Sequence, residues 1–128
     1  MKKEIEKGIS NVINTLVTDE LTAEKVGSGT LKVFATPAMI STMEKASMEL
    51  VNEFLDEDET TVGILVNVSH LQATKVNETV KTTAEVIEVS GRKITFKVKS
   101  YCNDVLIGEG IHERFIVNKT KFMNKLLC

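Results

Sequence analysis

The chain of 128 residues contains 42% hydrophobic and 27% charged residues, a composition typical of one globular domain. The formal net charge of −2 and the sequence pI of about 5.7 argue against a nucleic-acid-binding protein, which usually presents a basic face. No apolar run has the length of a transmembrane helix, and no signal-peptide core follows the polar start of the chain. We therefore expect residues 1–128 to form a single cytoplasmic domain.

The first third of the chain is predicted to form short secondary-structure elements. Residues 1–7 are mostly charged and are expected to fray. Branched apolar residues indicate a first β-strand within residues 8–18, and residues 19–26 fit a short helix. Gly-Ser-Gly-Thr at 27–30 predicts a flexible link to the next element.

One long helix is predicted for about residues 37–55. Thr36 is a favoured N-cap residue, and Pro37 suits the first helical position because no N–H is needed there. Apolar residues then recur at three- and four-residue steps and form a stripe along about five turns. The stripe consists of Met39, Met43, Ala46, Leu50 and Phe54.

Glu44 does not fit a purely structural helix. At about 100° per residue it lies on the side of Ile40 and Val51, whereas the other charges of the helix project from the opposite half. A carboxylate at the margin of a buried stripe needs polar partners or a raised pKa. The helical wheel is equally consistent with an edge residue whose side chain bends into water.

From Thr60 onward the apolar period changes to two, which predicts four β-strands. The first, residues 60–71, has one apolar face made of Val62, Ile64, Val66, Val68 and His70. The second and third have inward faces made of Val80, Thr82, Ala84 and Val86, and of Ile94, Phe96 and Val98. The last covers residues 105–117. Because short turns join consecutive strands, we predict an α+β fold with an antiparallel sheet whose apolar face is covered by the long helix.

Several polar residues are expected on buried faces. His70 should point toward the helix, as Glu44 does, and two facing titratable groups indicate a functional site better than either alone. Thr36 presents a hydroxyl near free backbone N–H groups, although capping alone would explain it. Gly63 lies among β-branched residues, which suggests that a ligand or backbone approaches closely.

Further candidates lie in the last predicted strand. Gly108 and Gly110 suggest either close approach or a bulge. His112 and Arg114 share one face by the period of two.

These motifs resemble those of the hot-dog fold thioesterases, most closely the fluoroacetyl-CoA thioesterase-like group. The matching segments are Phe34-Ala35-Thr36, Met43-Glu44, Gly63 with His70 seven residues later, Leu71-Gln72-Ala73-Thr74, Gly91-Arg92, Ile107-Gly108-Glu109-Gly110 and His112-Glu113-Arg114. The resemblance covers about residues 34–117. It implies a curved antiparallel sheet wrapped around one long central helix, and a homodimer with the active site at the subunit interface.

The resemblance also implies hydrolysis of an acyl-CoA thioester by Thr36, Glu44 and His70 acting together. In this scheme Glu44 attacks the thioester carbonyl or activates a water molecule. His70 orients that carboxylate or manages the proton, and Thr36 completes the hydrogen-bond network. Coenzyme A enters as part of the substrate, and neither a metal nor a redox cofactor is implied.

Gly63, His112 and Arg114 are the expected substrate-binding residues. Arg114 is the expected cation for the CoA portion. A structural ion pair between Arg114 and Glu109 or Glu113 is the competing interpretation.

The segment before the Phe-Ala-Thr motif departs from the family. The fluoroacetyl-specific enzyme has bulky aromatic lid residues there, whereas this chain has Gly27-Ser28-Gly29-Thr30. The expected substrate carries a short acyl group, and without the aromatic lid we expect poor discrimination between fluoroacetyl-CoA and acetyl-CoA. A non-catalytic acyl-CoA-binding or regulatory module on the same fold is the alternative function. A hydratase is a third possibility, but it would need a different acid–base pairing.

Overall fold

The computed structural model describes all residues from Met1 to Cys128. It contains the strands β1 (Ser10–Leu16), β2 (Glu59–His70), β3 (Thr79–Ser90), β4 (Lys93–Cys102) and β5 (Val105–Asn118). The helices are α1 (Ala23–Val26), α2 (Thr36–Asn52) and α3 (Lys119–Asn124), and a short 3-10 helix spans Asp19–Leu21. The strands form one antiparallel sheet in the order β1-β3-β4-β5-β2, and α2 contacts every strand. The predicted hot-dog architecture, a curved sheet around one long helix, is confirmed.

The helix α2 begins one residue earlier and ends three residues earlier than predicted. Ala35 is its N-cap residue, so the prediction that Thr36 caps the helix is wrong. Thr36 is itself helical, and its side chain is therefore free to bond elsewhere. The apolar stripe is confirmed at Met39, Met43, Ala46 and Leu50, which are all buried. Its last member, Phe54, lies beyond the end of α2 and is only partly buried.

The central strands follow the predicted alternation. The inward faces of β3 and β4 are buried at every predicted position: Val80, Thr82, Ala84, Val86, Ile94, Phe96 and Val98. Their apolar members join the stripe of α2 in one core of 19 buried residues. This core fixes the helix against the sheet and thereby positions the residues at both ends of β2.

The predicted apolar face of β2 is wrong at Ile64 and Val66, which are exposed, and Val62 is only partly buried. The pairing of β2 with β5 shifts between Gly63 and Leu65, so Ile64 is an extra residue that changes the alternation. Thr61 is buried in place of Val62, whereas Ile64 is 51% exposed. β2 is also an edge strand, with its other side free of any pairing within the chain.

The chain ends are more ordered than the sequence predicts. Ile5 is buried and the N–H of Lys2 donates to the carbonyl of Phe54, so the prediction that residues 1–7 fray is wrong. The helix α3 was not predicted. Cys102 and Cys128 are free thiols. None of the α-helices combines the length and the hydropathy that a membrane span requires.

Candidate active site

Thr36 and His70 form a hydrogen-bonded pair although they are 34 residues apart. Thr36 begins α2 and His70 ends β2, and the distance between Thr36 Oγ1 and His70 Nδ1 is 2.7 Å. Burial lowers the pKa of His70, with a smaller opposing effect from the backbone of Gln72. A neutral imidazole beside a hydroxyl can accept or donate a proton, which is the property required of an acid–base residue.

The Thr36–His70 pair lies at a cavity of about 280 Å³. The backbone pairing of Phe34 with Thr22 and of Val33 with Lys75 holds its walls together. Ser28, from the predicted flexible link, contributes a small polar side chain to the lining. The lining residues are Ala23, Ser28, Val33, Phe34, Thr36, His70, Leu71, Gln72 and Ala73.

Glu44 belongs to a second group of residues around Gly63. The side chain of Glu44 is 42% exposed, and its Oε2 lies 3.9 Å from Nη1 of Arg114. A Cβ atom at position 63 would lie 3.0 Å from that Oε2 and 3.3 Å from Cε1 of His112. Glycine at this position therefore keeps open the space over the Glu44 carboxylate.

Arg114 is nearly buried and is held on several sides. Its Nε donates to Thr61 Oγ1 at 2.8 Å, and its Nη2 donates to the Thr61 carbonyl at 2.9 Å. Its Nη1 lies 3.2 Å from His112 Nε2. Burial lowers the pKa of Arg114, and the charge of Glu44 opposes that shift. Because Glu44 is its acidic neighbour, the suggested ion pair with Glu109 or Glu113 is wrong.

His112 is 1% exposed, and its Nδ1 lies 2.8 Å from the carbonyl of Leu65. Burial is the main cause that lowers the pKa of His112. Its ring stacks on that of Phe96, with the ring centroids 6.0 Å apart. Gly108 and Gly110 pack against Met39 and against the backbone of β2. The expected substrate contacts of Gly63, His112 and Arg114 stay predictions.

The structure thus brings the predicted residues together in two groups. Thr36 and His70 form one, and Glu44 lies with Gly63, His112 and Arg114 in the other. Glu44 lies eight positions after Thr36 along α2, a rise of about 12 Å. Thr61 was not recognised from the sequence, because the bulge that turns it inward leaves no mark in the apolar period.

Fluoroacetyl-CoA thioesterases are among the known proteins that are similar to this chain. The family model for FlK, the fluoroacetyl-CoA-specific thioesterase, matches residues 17–120. A fluoroacetyl-CoA thioesterase from Streptantibioticus cattleyicolor is 35% identical over 95 residues, which cover 74% of this chain and 68% of that protein. The solved structure of the fluoroacetyl-CoA thioesterase FlK superposes with a TM-score of 0.92 at 28% identity, covering 96% of each chain.

A point mutant of FlK in complex with fluoroacetate and CoA also superposes on this chain. The TM-score is 0.88 at 28% identity, and the match covers 92% of this chain and 99% of that one. The family model spans both residue groups of the site, from before Thr36 to beyond Arg114. The chain therefore belongs to the FlK family of fluoroacetyl-CoA-specific thioesterases.

Proposed function

We propose that this protein hydrolyses short-chain acyl-CoA thioesters and that Thr36, Glu44 and His70 act together in the reaction. The observation that supports this most directly is the 2.7 Å pair of Thr36 and His70 beside a cavity, in a chain of a thioesterase family. Water and the thioester are the reactants. The products are a carboxylic acid and coenzyme A, which is needed only as part of the substrate.

Each residue of the trio has a chemical task in this reaction. Glu44 attacks the thioester carbonyl or removes a proton from the attacking water, after which the C–S bond breaks. His70 holds the carboxylate or passes a proton to the departing thiolate, and the Thr36 hydroxyl fixes the imidazole orientation. Backbone N–H groups near Gly63 or at the start of α2 stabilise the oxyanion, and losing one such donor costs about 3 kcal/mol.

The active enzyme is proposed to be a homodimer joined through β2. The free side of this edge strand carries unpaired backbone groups, and its apolar side chains Ile64, Leu65 and Val66 are 51%, 43% and 42% exposed. An exposed apolar edge strand is a ready template for pairing with another chain. A twofold axis makes such pairing antiparallel and self-complementary.

This dimer would unite the two residue groups. If the β2 strands pair around Val66 and Asn67, His70 of one subunit comes beside the partner's Gly63. The partner's Glu44 lies next to that glycine, as Glu44 does within one chain. Each active site would then take Thr36 and His70 from one subunit and Glu44 from the other.

Mixing two inactive variants tests function and assembly together. One subunit carries His70→Ala and the other Glu44→Gln, so a mixed dimer retains one site with both native residues. After co-expression or subunit exchange, we expect about a quarter of the parental acetyl-CoA hydrolysis, since about half of the dimers are mixed and each has one intact site. No recovery from verified mixed dimers would contradict a site shared between subunits. A parent protein that binds acyl-CoA without releasing a thiol would favour the binding-module alternative.

The short acyl chain is proposed from the cavity lining. Phe34 is 1% exposed and forms part of the wall beneath the Thr36–His70 pair. Ser28 lines the same cavity, and the segment Gly27-Ser28-Gly29-Thr30 supplies no aromatic lid residue to distinguish a fluorinated acyl group. We therefore propose acetyl-CoA and similar short thioesters as the substrate class.

A further inference from the structure

The β-bulge in β2 is linked to Arg114 through His112. At the bulge, the carbonyl of Leu65 lies 2.8 Å from His112 Nδ1. A carbonyl only accepts hydrogen bonds, so Nδ1 must carry the proton and donate. On the other side of the ring, Arg114 Nη1 lies 3.2 Å from Nε2, and a guanidinium only donates. His112 is therefore the neutral Nδ1–H tautomer, with Nε2 accepting from Arg114.

Thr61 fixes the opposite side of the same guanidinium. Its hydroxyl accepts from Arg114 Nε and its carbonyl accepts from Nη2, while the Thr61 side chain is itself buried. Together with His112, these contacts engage three nitrogen atoms of a planar group that cannot rotate without losing them. In this orientation Nη1 is the nitrogen that faces Glu44 Oε2, at 3.9 Å.

We propose that Thr61 and His112 are positioning residues, which act on Glu44 through Arg114. The inference rests on the proposed function of Glu44. It assigns a role to Thr61, and it gives His112 a role that requires no contact with substrate. The bulge is part of this hydrogen-bonded arrangement, because it turns Thr61 inward and brings the Leu65 carbonyl to His112.

Substitutions at Thr61 test the proposal at nearly constant side-chain volume. Thr61→Val removes the acceptor for Arg114 Nε but leaves the backbone carbonyl, and Thr61→Ser restores the hydroxyl. For acetyl-CoA we expect Thr61→Val to lower kcat about tenfold with KM within about twofold, and Thr61→Ser to recover most of the loss. The matched control is Thr95→Val, because Thr95 is a similarly buried strand threonine whose hydroxyl donates to Glu113 and makes no hydrogen bond to Arg114. We expect its kcat to stay within about twofold of the parent.

A double-mutant cycle with Arg114→Lys separates positioning from general destabilisation. Lysine keeps the charge but lacks the planar fork that Thr61 holds. If Thr61 acts through Arg114, then adding Thr61→Val to Arg114→Lys causes no further loss of kcat. The proposal would be overturned if the kcat losses of the two single variants multiplied in the double variant. It would also be overturned if Thr61→Val alone kept the parental kcat.

A measurement that does not depend on turnover tests the positioning role of Thr61 and His112 independently of the proposed function. In ¹⁵N NMR spectra we expect His112 as the Nδ1–H tautomer and an exchange-protected Arg114 Nε–H signal. That signal should disappear in Thr61→Val and persist in Thr95→Val. If the parent hydrolyses no thioester, the proposed function fails, and these spectra still decide whether Thr61 and His112 hold Arg114. A His112 ring protonated only at Nε2 would refute the arrangement.

Discussion

Replacing Gly63 by alanine tests whether the space over Glu44 is needed for activity. The added Cβ would lie 3.0 Å from Glu44 Oε2, whereas ordinary van der Waals contact begins at 3.4 Å. The carboxylate therefore has to retreat by about 0.4 Å, the difference between these distances. It is able to do so because the Glu44 side chain is partly exposed and flexible.

The expected loss follows from the size of this displacement. A misplacement of about 1 Å costs about a hundredfold in rate, so 0.4 Å corresponds to about a sixfold lower kcat. Stability should change little. The backbone of Gly63 is outside the left-handed region, and alanine then gains about 0.4–1 kcal/mol from the unfolded state, which offsets the strain. We expect Tm to stay within about 3 °C of the parent.

The assay follows CoA thiol release from acetyl-CoA with a thiol-reactive chromophore. The exposed thiol of Cys128 also reacts, so each rate is corrected with an enzyme-only blank. Lower kcat at nearly unchanged Tm is the expected pattern. A Gly63→Ala enzyme with parental kcat and KM would refute the reasoning that position 63 must stay open beside Glu44.

Three further predictions concern the trio, the substrate and pH. Glu44→Gln, His70→Ala and Thr36→Ala should each lower kcat about a hundredfold, with double mutants little worse than the worst single. Thr36→Ala should leave Tm nearly unchanged because Thr36 is not the N-cap. Parental kcat in Glu44→Gln would refute the catalytic role of Glu44. The ratio of kcat/KM for fluoroacetyl-CoA to that for acetyl-CoA should stay below about tenfold, and a much larger ratio would show that selectivity arises without an aromatic lid. Burial lowers the pKa of His70 and His112 from 6.5, so the unfolded chain binds more protons below that pH. The contribution of these two histidines to the free energy of unfolding should therefore be complete above about pH 6.5 and decline below it. Urea titrations at several pH values should show that the free energy of unfolding declines less below pH 6.5 in His112→Phe than in the parent.

The sequence alone determined the helix, the central strands and the identity of the candidate residues. Helical and strand periods report burial directly, because a buried face needs apolar side chains at fixed intervals. That is why the stripe of α2 and the inward faces of β3 and β4 agree with the structure. The short motifs around Thr36, Glu44 and His70 identified the family, since motif residues are recognisable without knowing their contacts.

Only the tertiary structure decided which of these residues meet. The bulge at Ile64 depends on the pairing of β2 with β5, a non-local contact that leaves no trace in the local period. It buries Thr61 and brings the Leu65 carbonyl to His112. The structure also shows that the acidic neighbour of Arg114 is Glu44. The hydrogen bond between Thr36 and His70, which come from distant parts of the chain, likewise became visible only in the structure. Apolar patterning specifies which faces are buried, whereas hydrogen-bond partners are chosen by the register between strands that lie far apart in the chain.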